Sequence, residues 1–300
     1  MTSSHKIVVR IREGLGNQLF CYAAARRIAV KNHAELVIDD VSYFIRNEKY
    51  RRSYALHHFS IPARMALPAE RFFPGECVRR LIAKARSRWK PFGCRSYLQQ
   101  ELADFDPRLL ELRLQGDVYF DGYWQSEAYF SDIEDIIRQD LVMQAPQDEV
   151  NREMARRIIS SRNAVALHVR WFEPPDVKES IRNVPGAYYR RAVQHAADHL
   201  EEPHFFVFSD DMTAAMALLS LPAGSYTTVG HNRGDAMAYA DLWLMSLCRH
   251  FITANSTFSW WGAWLSSQAD KSVITPDPAL LDRRNYWRMA GLIPNGWIKM

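Results

Sequence analysis

The stretch HFFVFSDDMTAAMALLSLPAGSYTTVG, His204 to Gly230, reads as a strand, a helix and a second strand in succession. An apolar run from His204 to Phe208 ends on Ser209-Asp210-Asp211, and an Ala-rich segment from Met212 to Leu219 follows. Pro222 and Gly224 then punctuate the chain before Ser225 to Val229. Short apolar runs alternating with helix-length segments build a mostly parallel sheet with helices on both faces. The rhythm extends outward in both directions. Upstream lie a strand at Ala164 to Val169 and a helix at Tyr188 to His199. Downstream come a helix at Ala236 to Cys248, a strand at Phe251 to Ala254, a helix at Ser259 to Ser267 and a strand at Ser272 to Thr275.

Met143 to Asp148 (MQAPQD) is polar and contains proline, which marks a linker before a helix at Glu149 to Ser161. Ahead of it, Lys6 to Ile11 reads as a strand, Gly14-Leu15-Gly16 as a tight turn and Asn17 to Lys31 as an Ala-rich helix. Ala34 to Ile38 and Val118 to Trp124 read as further strands, and a helix is expected around Tyr129 to Leu141. Tyr43 to Arg113 shows no assignable period. A chain of 300 residues exceeds one typical domain. Two α/β domains are therefore expected, at 1–145 and 146–300.

Hydrophobic residues at 48% and charged residues at 24% exclude disordered and fibrous classes. The N-terminus has no signal-like pattern, and no stretch holds eighteen uninterrupted apolar residues, so a cytoplasmic protein is expected. Cys21, Cys77, Cys94 and Cys248 are scattered without CxxC or metal-ligand spacing, which points to free, mostly buried thiols. A net charge of +4 is modest and suits an anionic small ligand or an acidic membrane surface; it does not call for nucleic acid. Its distribution is uneven. Arg79, Arg80, Lys84, Arg86, Arg88 and Lys90 share a segment with no acid between Cys77 and Gln100. That segment is expected to be a basic helix, either a solvated face or a peripheral contact with an anionic membrane or a lipid-linked acceptor.

In open parallel sheets ligands bind at the carboxyl ends of strands. The residues there are Gly14 to Gln18, Arg170 to Glu173, Ser209 to Asp211 and Asn255 to Thr257. Asn255-Ser256-Thr257-Phe258-Ser259 brings hydroxyls, an amide and free backbone N–H groups to a helix start, an anion cradle or simply a helix cap. His168 and Arg170 share one face of their strand. The arginine can grip a phosphate through two N–H groups or serve as a surface ion pair. Ser209-Asp210-Asp211 can accept from a guanine edge or ribose, or cap the next helix. Asp104-Phe105-Asp106 is a DxD, a metal-binding pattern elsewhere, but Pro107 favours a turn or cap. Gly14 and Gly16 make only a GxG, a weak nicotinamide signal. With 9 Trp and 13 Tyr, a non-catalytic carbohydrate-binding protein is a further reading.

Five blocks occur in one order along nearly the whole chain: Gly14-Leu15-Gly16-Asn17-Gln18-Leu19-Phe20 with Tyr22-Ala23; Gly122 to Glu127 (GYWQSE) with Tyr129-Phe130; His168-Val169-Arg170; Phe208 to Asp211 (FSDD); and Asp241 to Trp264 (DLWLMSLCRHFITANSTFSWWGAW). In these blocks the chain resembles the bacterial and animal α-1,2-fucosyltransferases. The resemblance implies a GT-B-like α/β fold, two Rossmann-like domains with a cleft between them, the C-terminal one holding GDP-fucose. It implies metal-independent, inverting transfer of fucose to a terminal β-galactoside, as in a surface polysaccharide or O-antigen repeat, with no cofactor beyond the donor. A different linkage is the nearest alternative.

By the same resemblance Arg170 holds the diphosphate, His168 lines the nucleotide site, and Asp210 or Asp211 contact guanosine. Thr257 and Ser259 sit at the phosphates, Ser209, Asn255 and Ser256 are further donor-binding residues, and Gly16, Asn17 and Gln18 face the donor. One departure stands out. The family pattern His-x-Arg-Arg-x-Asp is His168-Val169-Arg170-Trp171-Phe172-Glu173 here, so the second arginine is missing. Glu173 takes the place of the acid and is the expected base, with Asp176 behind the stiff Pro174-Pro175 pair as the reserve.

Overall fold

The computed structural model describes residues 5–46, 52–72, 75–177, 180–282 and 284–300. The chain divides into two compact units, residues 1–144 with 289–293 and residues 145–288 with 294–300. The second unit is therefore not continuous to the C-terminus. Met289–Ile293 belongs to the first unit, where Ala290 N donates to Asp104 Oδ1 (2.7 Å) and Ser126 Oγ donates to Gly291 O (2.7 Å).

The first unit comprises β1 (Lys6–Arg10), α1 (Leu15–Lys31), β2 (Glu35–Asp39), β3 (Arg64–Met65), α2 (Glu76–Arg88), β4 (Tyr97–Gln99), β5 (Val118–Asp121) and α3 (Glu134–Asp140). Its sheet runs β3-β2-β1-β5-β4, every pair parallel. α1 starts at Leu15, two residues earlier than expected, with Gly14 as its extended N-cap. Gly16 thus lies in the first helical turn. The helix expected around Tyr129 to Leu141 is broken into two short 3₁₀ turns and α3.

The second unit comprises α4 (Glu149–Ser160), β6 (Ala164–Val169), α5 (Gly186–His199), β7 (His204–Ser209), α6 (Met212–Leu218), β8 (Tyr226–Val229), α7 (Ala238–Leu247), β9 (His250–Ile252), α8 (Thr257–Leu265), β10 (Val273–Thr275) and β11 (Ile298–Lys299). Its order is β11-β10-β9-β6-β7-β8, again wholly parallel. β6 is the first strand of this unit, and the order reverses on either side of it. That is the mononucleotide-binding arrangement, with its ligand crevice where β6 and β9 part.

β6 sets the core. All six of its residues are buried, as a central parallel strand covered on both faces requires. Ala164 and Ala166 pack on one face with Phe206, Phe208, Leu244 and Met245, against α4, α7 and α8. Val165, Leu167 and Val169 pack on the other with Tyr188, Tyr189 and Ala192 of α5. Cys21 and Cys248 are buried free thiols and Cys94 an exposed one; the side chain of Cys77 lies outside the described residues.

Candidate active site

The β6–β7 register pairs His168 with Phe208 and Val169 with Ser209. Continued by one residue, it brings Arg170 beside Asp210. Arg170 Nη1 lies 2.7 Å from Asp210 Oδ2, and Trp171 N donates to Asp210 Oδ1 at 3.1 Å, so one carboxylate ties the two strand ends together. The ion pair is about one-third exposed on each side, open enough for an incoming anion to compete for the arginine. Asp211 takes the capping role instead: it is the N-cap of α6 and accepts from Ala214 N at 2.9 Å. Ser209 Oγ donates to Asp211 O at 3.1 Å and shapes the same turn.

His168 is buried, and its Nδ1 has no hydrogen-bond partner. Burial, helped by the neighbouring Arg170 charge, pushes its pKa down to about 3. The imidazole is therefore neutral at any ordinary pH. It can line a site and accept or donate one hydrogen bond, but positive charge for a diphosphate must come from arginine.

Across the switch point, β9 leads into α8. Ser256 is the N-cap, its Oγ accepting from Phe258 N at 3.3 Å, and Ser259 Oγ donates back to Ser256 O at 3.3 Å. Thr257 opens the helix. Asn255 is fully buried; its Nδ2 donates to Arg182 O at 2.8 Å while its Oδ1 has no partner. Tyr286 O–H donates to Asn255 O. The first-turn amides of α8 and its dipole favour a negative group at this end.

The loop after β6 is built around Glu173. Its carboxylate accepts from Ser180 Oγ, and that hydroxyl in turn accepts from Asn183 N (2.9 Å) and Arg182 N (3.2 Å). Asn183 Oδ1 accepts from Phe172 N (2.8 Å) and Glu173 N (3.1 Å), and its Nδ2 donates to Glu173 O (3.0 Å). A carboxylate held this way is positioned, whereas Asp176 is exposed on the same loop. The carboxylate paired with Arg170 is that of Asp210, not that of Glu173.

Arg182 answers the missing second arginine. Its guanidinium lies 5.3 Å from the Phe172 ring centroid, and that of Arg170 lies 5.4 Å from the same centroid. One aromatic ring thus holds two cations at the carboxyl edge of β6. Sequence reading passed over Arg182, Ser180 and Asn183 because they follow the family block in a loop of no fixed period. Asp241 opens the longest of the five blocks. Burial raises its pKa to about 7, opposed by a 2.9 Å hydrogen bond from Asn232 Nδ2.

Gly16, Asn17 and Gln18 belong to the first unit, and there Gln18 has a different task from the one expected. It is fully buried, its Nε2 donating to Glu13 O (2.9 Å) and Ser53 O (2.8 Å), its Oε1 accepting from Ala55 N (2.9 Å). Asn17 Oδ1 accepts from Gln125 Nε2 at 2.7 Å, which joins the first two family blocks. In the DxD, Asp106 is a local cap and Asp104 accepts from the distant Ala290 N. Asp106 accepts from Arg108 N (3.1 Å) and from its guanidinium (2.6 Å), which holds its carboxyl below the usual range.

The family model for Glycosyl transferase family 11 matches residues 6–280. The Alpha-1,2-colitosyltransferase of Escherichia coli is 26% identical over 280 residues, covering 91% of this chain and 91% of that protein. The O-antigen biosynthesis glycosyltransferase WbnK of Escherichia coli is 30% identical over 283 residues, covering 88% and 91%. Among solved structures, the fucosyltransferase NodZ from Bradyrhizobium superposes with a TM-score of 0.53 at 17% identity, covering 87% of this chain and 93% of that one, a likeness of fold. With the GT-B type fold, the switch-point arginine and a family match over nearly its whole length, the chain belongs to glycosyl transferase family 11.

Proposed function

We propose that the protein is an inverting galactoside α-1,2-fucosyltransferase, moving L-fucose from GDP-fucose to the 2-hydroxyl of a terminal β-galactoside in a glycan such as an O-antigen repeat. The observation that carries this reading is the juxtaposition of Arg170, neutral His168 and the capped start of α8 at the β6–β9 switch point, where a mononucleotide diphosphate binds in such sheets. The family's α-1,2-specific relative supports the linkage.

In the proposed reaction the acceptor hydroxyl oxygen bonds to the anomeric carbon from the face opposite the diphosphate. The carbon–oxygen bond to GDP breaks, and its electron pair leaves on the phosphate. Arg170 and Arg182, with the α8 amides, meet that growing charge without a metal ion. Glu173, fixed by Ser180, takes the hydroxyl proton. A second reading of the donor follows from the colitosyltransferase relative. Colitose is the 3-deoxy counterpart of L-fucose, so the same diphosphate and guanosine contacts would serve GDP-colitose. A lipid-linked acceptor would bring the enzyme to an anionic membrane face, the contact expected of Arg79 to Lys90.

Incubation with GDP-fucose or GDP-colitose and a panel of galactose-terminated oligosaccharides, followed by linkage analysis, tests the proposal. An α-1,2-linked fucosyl product is expected. Preference for GDP-colitose moves the donor assignment, and a product of another linkage overturns the acceptor assignment.

A further inference from the structure

α2 is turned inside out. Its polar and small residues face the protein: Ser87 is buried with its Oγ accepting from Tyr97 N at 2.9 Å. Ala83 packs beside Phe72 against the cluster of Val8, Val37 and Tyr119, and Arg80 Nη1 lies 3.9 Å from Asp121 Oδ2. The outward face is apolar. Val78, Leu81, Ile82, Ala85 and Trp89 follow the i, i+3, i+4, i+7, i+11 spacing of a single helical stripe, Trp89 continuing the spiral as the helical C-cap residue. They are exposed: Val78 at 65%, Leu81 at 67%, Ile82 at 46% and Trp89 at 90%. A continuous stripe of this kind marks an interaction surface rather than the scattered apolar residues of an ordinary exterior.

The flanks name the partner. At 100° per residue, Arg79 and Arg86 border the stripe on one side, Lys84 and Arg88 on the other, all exposed, with Lys90 following Trp89. We infer that α2 lies in the headgroup plane of an anionic bilayer, its stripe in the acyl boundary and its two cationic borders on lipid phosphates. An amphipathic helix with Lys and Arg on its borders and Leu and Trp on its apolar face has this chemistry, and Trp89 at the stripe's end suits the interface. A second copy of α2 fits poorly, because pairing the stripes would bring cationic borders together with no acid between them. Among the described residues no helix is long and apolar enough to cross a membrane, so the attachment is peripheral. The inference deepens the membrane contact proposed above for Arg79 to Lys90, and its test reads vesicle binding, which is separate from sugar transfer.

The test uses the full chain with phosphatidylcholine vesicles, with and without phosphatidylglycerol. Co-sedimentation is expected only with the anionic vesicles, together with quenching of tryptophan fluorescence by brominated lipid that Trp89→Phe largely removes. Leu81→Ser with Trp89→Ser, and separately Arg86→Gln with Arg88→Gln, should each lower partitioning by about tenfold or more. Unchanged circular dichroism, and unchanged turnover on soluble acceptors, show that those variants fold. Failure of the wild-type chain to bind anionic vesicles, or binding that neither pair of substitutions weakens, overturns the inference. A lipid-independent dimer in sedimentation velocity that Leu81→Ser dissolves would assign the stripe to a second copy instead.

Discussion

In the proposed reaction a departing GDP would carry more negative charge than Arg170 alone can match, and His168 is neutral beside it. The guanidinium is paired with Asp210, so in the proposed reaction an incoming diphosphate would displace a carboxylate rather than water alone. Lysine at this position keeps the charge and loses the planar fork. Arg170→Lys should therefore lower kcat by roughly 10²-fold. Arg182→Gln removes the second cation and should weaken GDP binding by about tenfold, the size of one hydrogen bond to a charged group. Equilibrium binding of GDP and steady-state kinetics read both; normal values for both variants would move the phosphate site elsewhere. The base is separable from the grip. Glu173→Gln keeps the bond from Ser180 but not the basicity, so GDP affinity should hold while kcat falls by roughly 10²-fold. If Asp176→Asn causes that loss and Glu173→Gln does not, the role belongs to the exposed aspartate.

The helix that presents Ser256 and Thr257 is placed by what lies behind it. A methyl group at Gly262 would stand 2.7 Å from Met245 Cγ and closer still to its Sδ, so the glycine is what lets α8 rest on α7. Gly262→Ala should destabilise the protein by about 1–3 kcal/mol through overpacking, and Met245→Ala in the same chain should return part of that loss. Chemical denaturation of the two single variants and the double variant measures the coupling; strictly additive effects would show that the helices do not meet there. This glycine was legible only as one letter of a family block, because close approach is a property of two helices and not of either sequence. α7 and α8 themselves were readable, since both are apolar, buried and of helical length. α2 was readable as a basic helix over Arg79 to Lys90 but not in the face it buries. Its stripe has the helical period, yet the apolar side faces outward, and a period alone does not say which face is covered. Gln18 was misread for a related reason: a polar residue beside a glycine turn looks like a ligand contact until its three backbone partners appear.

The second sheet was legible from its rhythm, because strands buried on both faces are continuous apolar runs set apart by helices. Much of the first was not, since β3 and β4 contain two and three residues and short 3₁₀ turns interrupt the chain ahead of β3, β4 and β5. The whole molecule also bears on how the charge of the proposed diphosphate would be met. The one DxD in the sequence lies in the first unit, with both aspartates already engaged. Asp106 caps a turn and forms an ion pair with Arg108, which keeps it ionised but saturated, and Asp104 holds the backbone of Ala290. The cations sit in the second unit instead, Arg170 and Arg182 about one ring, and the start of α8 in the same unit adds the partial positive charge of its amides. Turnover should therefore persist in excess EDTA, and Asp104→Asn should leave kcat within about twofold, as expected of a residue that touches neither donor nor leaving group. Activity that vanishes in EDTA and returns with Mg²⁺ or Mn²⁺ would show that a metal, and not this pair of arginines, carries the leaving-group charge.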